Sequence, residues 1–592
     1  MTQSIRSRSV SLIVAVMLSA VACAQNPVPQ SRAPMSGKRA ESSRGMVAAS
    51  HPDAAAAGAE TLRLGGNAID AAVATGFALS VVDVSQTGLG GGGALTYYDA
   101  RARRADHLSF YARSGEDTAW ARPVPADSGA RRPGRGAGTP GMVAGLLDAH
   151  KRWGRLSRAQ VMAPAIRLAS EGFIVSPLLA RTIASSSAKL LADTAASARF
   201  MPGGLALRPG DRLVQPELAS TLTRIANEGA PAFYTGTIAE ALSAKTRSLG
   251  GLITVRDLAE YPVTSMRPLC AAWRGYTVLS APPPMGGAST LEMLQMADVS
   301  GIADARGLTE QPEAVAKLAD ILRVGGADGS RWRGDPAALD VPARGVSSAG
   351  YARQRAGLVA TAFPDTAVAG DPWTFDSVAP PRACDVLGAY PSATRRTSAP
   401  SNREAPMADD ALENTSFTSH MSIVDGEGNA VSATTTVGVL FGSGVYTGGF
   451  FLNSAGGNFD ARTRGMNRYS NSTMAPTMIL DGNSVRLVVG AAGSQYIQPS
   501  IVQVTLRMLA FGEDPAFALA APRIHSSAAS RDVEVEPGFS QDVYQALVRR
   551  GYRPLSRVAD ISFGGVHAVF VGKNGRRVGV ADPRRDGAAA GH

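Results

Sequence analysis

Hydroxyl groups crowd one stretch of the chain. From Phe417 to Thr436 the sequence reads FTSHMSIVDGEGNAVSATTT, with Thr418 and Ser419 before a short apolar run and Thr434, Thr435 and Thr436 inside a second extended run. Asp425-Gly426-Glu427-Gly428-Asn429 lies between them and has the composition of a tight turn. The pattern predicts a β-hairpin whose open end carries the hydroxyls. Such a hydroxyl becomes a nucleophile only with a base in reach; otherwise it caps or turns the backbone. His420 is the nearest base by type, but its place at a strand start predicts packing or a hydrogen bond rather than proton transfer. The glycine run TGLGGGG at 87–93 is similar to phosphate-cradling loops. It lacks their Lys-Ser/Thr and predicts close backbone packing near the site.

The elements that must position this hairpin are legible in outline. Small apolar residues recur at helical spacing from Gly45 to Val82, and two further helical blocks cover 141–169 and 217–249. The segment YTVLSAPPPMGGASTLEMLQMA, from Tyr276, reads as strand, proline-glycine elbow, helix. Residues 332–414 are rich in Pro, Ala, Ser and Arg without periodicity, which predicts a mobile surface region ending just before Thr418. Short strands follow up to Val504, then a helix, then a final strand pair near His567 and Val578. Helices bracketing two strand-rich regions predict a layered architecture.

The whole chain has 592 residues, 45% of them hydrophobic, enough for a large core or more than one domain. The net charge of +10 is spread over isolated arginines, so a basic surface is expected and no nucleic-acid partner. Arg6 and Arg8 precede an apolar run, Val10 to Val21, too short to cross a membrane comfortably. The small residues after it predict a signal peptide over 1–24. The rival reading is a lipoprotein signal to 22 with a lipid anchor at Cys23; Ala20, where a large aliphatic residue is usual, weakens it. Either reading makes the protein periplasmic or secreted, with 25–43 a disordered linker. Cys270 and Cys384 remain, and the sequence leaves open whether they pair. No CxxC or His/Cys cluster suggests a metal.

Motifs spanning nearly the whole mature chain resemble those of one family. They include GMVAASHPDAAAAGAETLRLGGNAIDAAVATGFALSVV from Gly45, GTPGMVAGLLDAHKRWGRL from Gly138, APAIRLASEGF from Ala163 and GGLITVRDLAEY from Gly250. RGYTVLSAPPPMGG from Arg274, TSHMSIVDGEGNAVSATTT from Thr418, APRIH from Ala521 and ADPRRDG from Ala581 follow in order. Together with the glycine run they closely resemble the γ-glutamyltranspeptidases (glutathione hydrolases), which are N-terminal-nucleophile hydrolases.

The resemblance implies an α+β fold, a four-layer αββα sandwich, made as one precursor that cuts itself between Phe417 and Thr418. The large fragment, 44–417, and the small catalytic fragment, 418–592, would associate as a heterodimer. Thr418 is then the nucleophile, and its new α-amino group, with an ordinary pKa of about 8, serves as its base. Thr436 is expected to hydrogen-bond and orient the nucleophile. Ser472 and Thr473 match a pair that holds the substrate carboxylate, and Gly493 with Ser494 supplies oxyanion N–H groups. No cofactor or metal is implied.

Departures cluster where the substrate is chosen. The family arginine for the glutamyl carboxylate falls at Tyr111, with Arg113 two residues on as the candidate replacement. Asn453 is kept, but the acidic partner of the substrate ammonium becomes Asn458, its preceding acid or amide becomes Ala455, and the asparagine after Thr436 becomes Gly438. The expected activity is hydrolysis, or transfer, of small γ-glutamyl amides such as glutathione through an acyl-Thr418 intermediate. The alternatives are a glutaryl- or cephalosporin-type amide acylase, which an Asn at 458 suits, and a non-catalytic binding homologue.

Overall fold

The hairpin forms as its turn chemistry requires. Strands Ser416–Val424 and Ala430–Val439 pair antiparallel, with Met421 opposite Ala433 and Val424 opposite Ala430. Asp425 builds the turn: its Oδ1 accepts the Glu427 and Asn429 N–H groups at 2.9 Å each. Its Oδ2 accepts the Ala68 N–H at 3.0 Å, at the first turn of helix Ala68–Val82. The same helix ends at Asp83, whose carboxylate meets Ser419. Fifteen helical residues rise about 22 Å, close to the roughly 20 Å that six strand steps span. The helix therefore runs back along the strand and is pinned to it at both ends.

The structure is a computed structural model that describes residues 37–122, 133–360, 366–387, 416–459 and 465–592. Two seven-stranded sheets stack on one another. The first runs Ala588–Gly591, Met46–Ala49, Ser416–Val424, Ala430–Val439, Gly92–Asp99, Arg104–Phe110, Thr264–Met266. The second runs Arg39–Ser42, Arg577–Ala581, Gly565–Val571, Ser484–Ala492, Thr477–Asp481, Tyr276–Ser280, Leu269–Trp273. Strand alternation sorts the hairpin's side chains. Met421 and Ile423 join Val73 and Phe77 of helix Ala68–Val82 in the main core. His420 and Ser422 face the second sheet, where Ser422 donates to His567 O at 2.9 Å. Helices Gly287–Val299 and Ile497–Thr505 cover the second sheet's other side. The order of layers is α, β, β, α, as expected. Both sheets contain strands from before and after Thr418, so fragments cut there would share both sheets.

Local expectations change. Arg39–Ser42, inside the 25–43 segment expected to be a disordered linker, is a strand paired with Arg577–Ala581. Met46–Ala49, inside the stretch read as helical, is a fully buried strand paired with Met421–Val424; four small apolar residues are too few for periodicity to separate strand from helix. The described half of 332–414 is not loose: Tyr351 and Arg355 are buried and bind Asp328 at 2.8 and 2.7 Å. The rest of that region, residues 361–365 and 388–414, lies outside the described residues, as do the signal segment and Cys23. Cys270 and Cys384, left open by the sequence, are joined as a disulfide with Cα atoms 6.0 Å apart.

Candidate active site

The ladder slips at the bond expected to be cut. Phe417 lies opposite Gly438 but Ser419 lies opposite Thr435, so Thr436 and Val437 together face Thr418 in a β-bulge. The bulge turns the Thr436 hydroxyl onto the Phe417–Thr418 peptide, where it donates to Phe417 O at 2.5 Å. The Gly438 N–H donates to the same hydroxyl at 2.7 Å, which fixes its proton on the Phe417 carbonyl. Gly438 has φ +90°, which a side chain disfavours. In this uncut chain Thr436 thus holds the carbonyl of the bond, where the sequence reading placed it on the nucleophile's hydroxyl. The glycine run explains itself by close approach: a Cβ on Gly91 would stand 2.3 Å from Thr436 O.

Thr418 and Thr436 open onto a cavity of about 310 Å³. Tyr111, Asn458, Ser472, Thr473, Ser494 and Ile497 complete its lining, and none of these side chains is charged. Thr473 donates to Ser494 O at 2.9 Å, and the Ser472 hydroxyl accepts the Met474 N–H at 3.2 Å. Asn458 Nδ2 reaches the Tyr111 hydroxyl at 3.5 Å. Gly493, with φ +125°, directs the chain into Ser494, itself left-handed at φ +54°. Thr418, Thr436, Asn458, Ser472, Thr473 and Ser494 are therefore brought together, with Gly493 next in the chain.

Arg113 and Asn453 are not part of that lining. Arg113 opens onto a second cavity of about 220 Å³ with Glu116, Asp257 and Glu260. Paired backbone bonds between Arg113 and Thr139, at 3.1 and 2.8 Å, hold it there, and its guanidinium donates to Asn467 O at 3.2 Å. Tyr111 occupies the place by Thr418 instead. Asn453 is a buried backbone clamp, accepting from Gly138 and Ala455 and donating to Gly90 and Gly138. His420 has the packing role expected of it: both ring nitrogens are bonded, to Thr434 at 2.8 Å and Ser422 at 3.0 Å. Burial holds its pKa well below the ordinary value, so it stays neutral. Among the described residues no group of three His, Cys, Asp or Glu side chains could hold a metal.

Sequence reasoning missed the other side of the strand that carries Thr418. Ser419 donates to Asp83 at 2.5 Å. Asp83 also accepts from Gln86 at 2.6 Å. Arg585 binds Gln86 and donates to Thr418 O at 3.2 Å. Hundreds of residues separate Asp83, Ser419 and Arg585, and no motif links them.

A family model described as Gamma-glutamyltranspeptidase matches residues 54–592. The chain belongs to the γ-glutamyltranspeptidase family. Relatives in it include the glutathione hydrolase proenzyme of Bacillus subtilis (strain 168), 32% identical over 92% of this chain and 91% of that protein. The acylase ACY 1 proenzyme of Pseudomonas sp. (strain V22) is also 32% identical, over 93% and 94%. Among solved structures, the cephalosporin acylase from Bacillus halodurans superposes with a TM-score of 0.79, at 25% identity, over 96% of this chain and 98% of that one. As a γ-glutamyltranspeptidase-family member the chain is an N-terminal-nucleophile hydrolase, an enzyme acting on amide bonds. Hydrolase and acylase relatives match it equally well, so the family leaves the acyl group open.

Proposed function

We propose that the protein is a self-processing amide acylase that prefers acyl groups without an α-ammonium, glutaryl-type amides above γ-glutamyl ones. In the precursor the Thr418 hydroxyl attacks the Phe417 carbonyl carbon and the peptide C–N bond breaks. The acyl group passes to Thr418 Oγ, and water then hydrolyses this ester. Thr436 donates to the carbonyl oxygen as it gains negative charge, a contact of the kind that contributes roughly 3–4 kcal/mol to a transition state.

The amino group released on Thr418 then takes the hydroxyl proton as Thr418 attacks a substrate amide. The backbone N–H groups at Gly493 and Ser494 stabilise the oxyanion. The leaving amine takes a proton, and water releases the acyl group from Thr418. Ser472 and Thr473 hold the far end of the acyl chain by neutral hydrogen bonds. Asn453 supports the loop that carries Asn458, and Arg113 has no direct part.

The observation that carries this reading is the lining of the cavity, uncharged among the described residues. A γ-glutamyl head group brings an ammonium and a carboxylate; stripping water from both without counter-charges is costly. A glutaryl group brings only the carboxylate, and Asn458 in place of an acid no longer favours an ammonium. The likeness to acylases supports the same direction, and the Cys270–Cys384 disulfide supports export under the signal at 1–24. The test is kcat/KM for γ-glutamyl and glutaryl anilides. Equal or better use of the glutaryl compound is expected, and a hundredfold preference for the glutamyl one contradicts the reading.

A further inference from the structure

Behind the nucleophile strand lies a buried polar cluster that the mechanism above does not use. Strand alternation sends Thr418 towards the cavity and Ser419 to the opposite face, onto the end of helix Ala68–Val82. There the Ser419 hydroxyl donates to one Asp83 oxygen at 2.5 Å and Gln86 Nε2 donates to the other at 2.6 Å. The Gln86 carbonyl accepts from Arg585, which also donates to Thr418 O at 3.2 Å and to Ile561 O at 2.7 Å. The cluster thus grips residues 418 and 419 by a carbonyl and a hydroxyl, without touching the Thr418 side chain. After the cut these two residues are the free end of a strand, with no covalent neighbour on one side.

The location is costly. Asp83 is buried at the carboxyl end of a helix, where the aligned peptide dipoles disfavour an anion. Burial pushes its carboxyl up to about 7, against the pull of Ser419, Gln86 and Arg585. Arg585 is equally enclosed, and burial lowers it to about 10 although Asp83, Asp582, Asp560 and Asp586 favour its charge. Asp586 also bears on Asp83, and Lys38 stands near Asp586 and Asp582. One acid and one base therefore lie within a residue of the atom that becomes the amino terminus.

We propose that Asp83 and Arg585 are positioning residues that hold the new amino terminus and set its basicity in opposite senses. The Asp83 carboxylate favours the protonated amine and raises its pKa; the Arg585 guanidinium opposes a second positive charge and lowers it. Their balance keeps the amine neutral enough to accept the Thr418 proton yet basic enough to hold it. This inference rests on the reading of Thr418 as a nucleophile freed by self-cleavage.

The test reads the amine itself rather than turnover. Wild type, Asp83→Asn and Arg585→Gln are matured. The pH dependence of Thr418 α-amine acylation by trace acetic anhydride is then followed by mass spectrometry of the small fragment. Asp83→Asn is expected to lower the amine pKa by about one unit and Arg585→Gln to raise it by about one. The acid limb of kcat/KM for the glutaryl anilide should move with each. A merely structural role would shift neither, or both the same way, and either result overturns the proposal. If Asp83→Asn stays uncut, the direction of the Arg585→Gln shift decides alone. A wild-type chain that never cuts itself contradicts the proposed function and this inference with it. A cut wild type whose amine ignores both substitutions contradicts only the inference.

Discussion

Two cavities meet the chain around residues 111–116, and they differ in kind. Tyr111 lines the one beneath Thr418, among hydroxyls, an amide and an isoleucine. Arg113 lines the other, with Glu116, Asp257 and Glu260. Two residues of chain separate a phenol beside Thr418 from a guanidinium that is turned away from it. The pairing of Arg113 with Thr139 fixes that register. In this chain the backbone register decides which residue reaches the cavity, and an arginine two residues away in sequence lies outside it. The proposed catalytic end, by contrast, holds Thr418, a second threonine at 436 with its hydroxyl on the Phe417 carbonyl, and a left-handed turn at Gly493 and Ser494.

Substitutions at each end should separate the two. The largest effect belongs to the catalytic end. Thr436→Val removes the hydroxyl on Phe417 O and should slow self-cleavage by about a hundredfold, with Thr436→Ser restoring it, as read from the two fragments on a denaturing gel over time. Tyr111→Arg supplies the missing cation. It should improve kcat/KM for acid-bearing acyl anilides over an uncharged pentanoyl anilide by about tenfold, one charge-assisted hydrogen bond replacing a neutral one, with the melting temperature recorded to confirm folding. Asn458→Asp supplies only an anion and should raise the ratio of γ-glutamyl to glutaryl turnover several-fold, about 1 kcal/mol. Arg113→Ala, on the far cavity, should leave kcat/KM for both anilides within about twofold. A tenfold loss there would mean that the two cavities act as one.

Much of this was legible in the sequence because it is local. Asp425 and Asn429 announce the turn by their own chemistry, and the glycines at 88–93 announce close backbone approach, here to Thr434 O, Thr436 O and Phe451 O. Ordered family motifs singled out Thr418; as an isolated hydroxyl it would have passed for a cap. What stayed hidden depends on register and on distant partners. The bulge that aims Thr436 at Phe417 O is a one-residue slip that no residue type marks. Arg113 and Tyr111 exchange places with a shift of two. Asp83, Gln86 and Arg585 meet behind Thr418 only because helix Ala68–Val82 matches the length of the strand beneath it and the chain's end returns to the same place. The strand at Met46–Ala49 was lost to a helical reading since four small apolar residues fit either period.

The central claim is that Thr418, exposed by self-cleavage, carries the acyl group. Intact-mass spectrometry of the purified protein, before and after brief exposure to a glutaryl anilide, tests it directly. The account predicts two fragments, the smaller beginning at Thr418 and gaining one glutaryl mass on that residue, while Thr418→Ala stays a single unmodified chain. An unbroken wild-type chain, or a glutaryl group carried on any other residue, would contradict it.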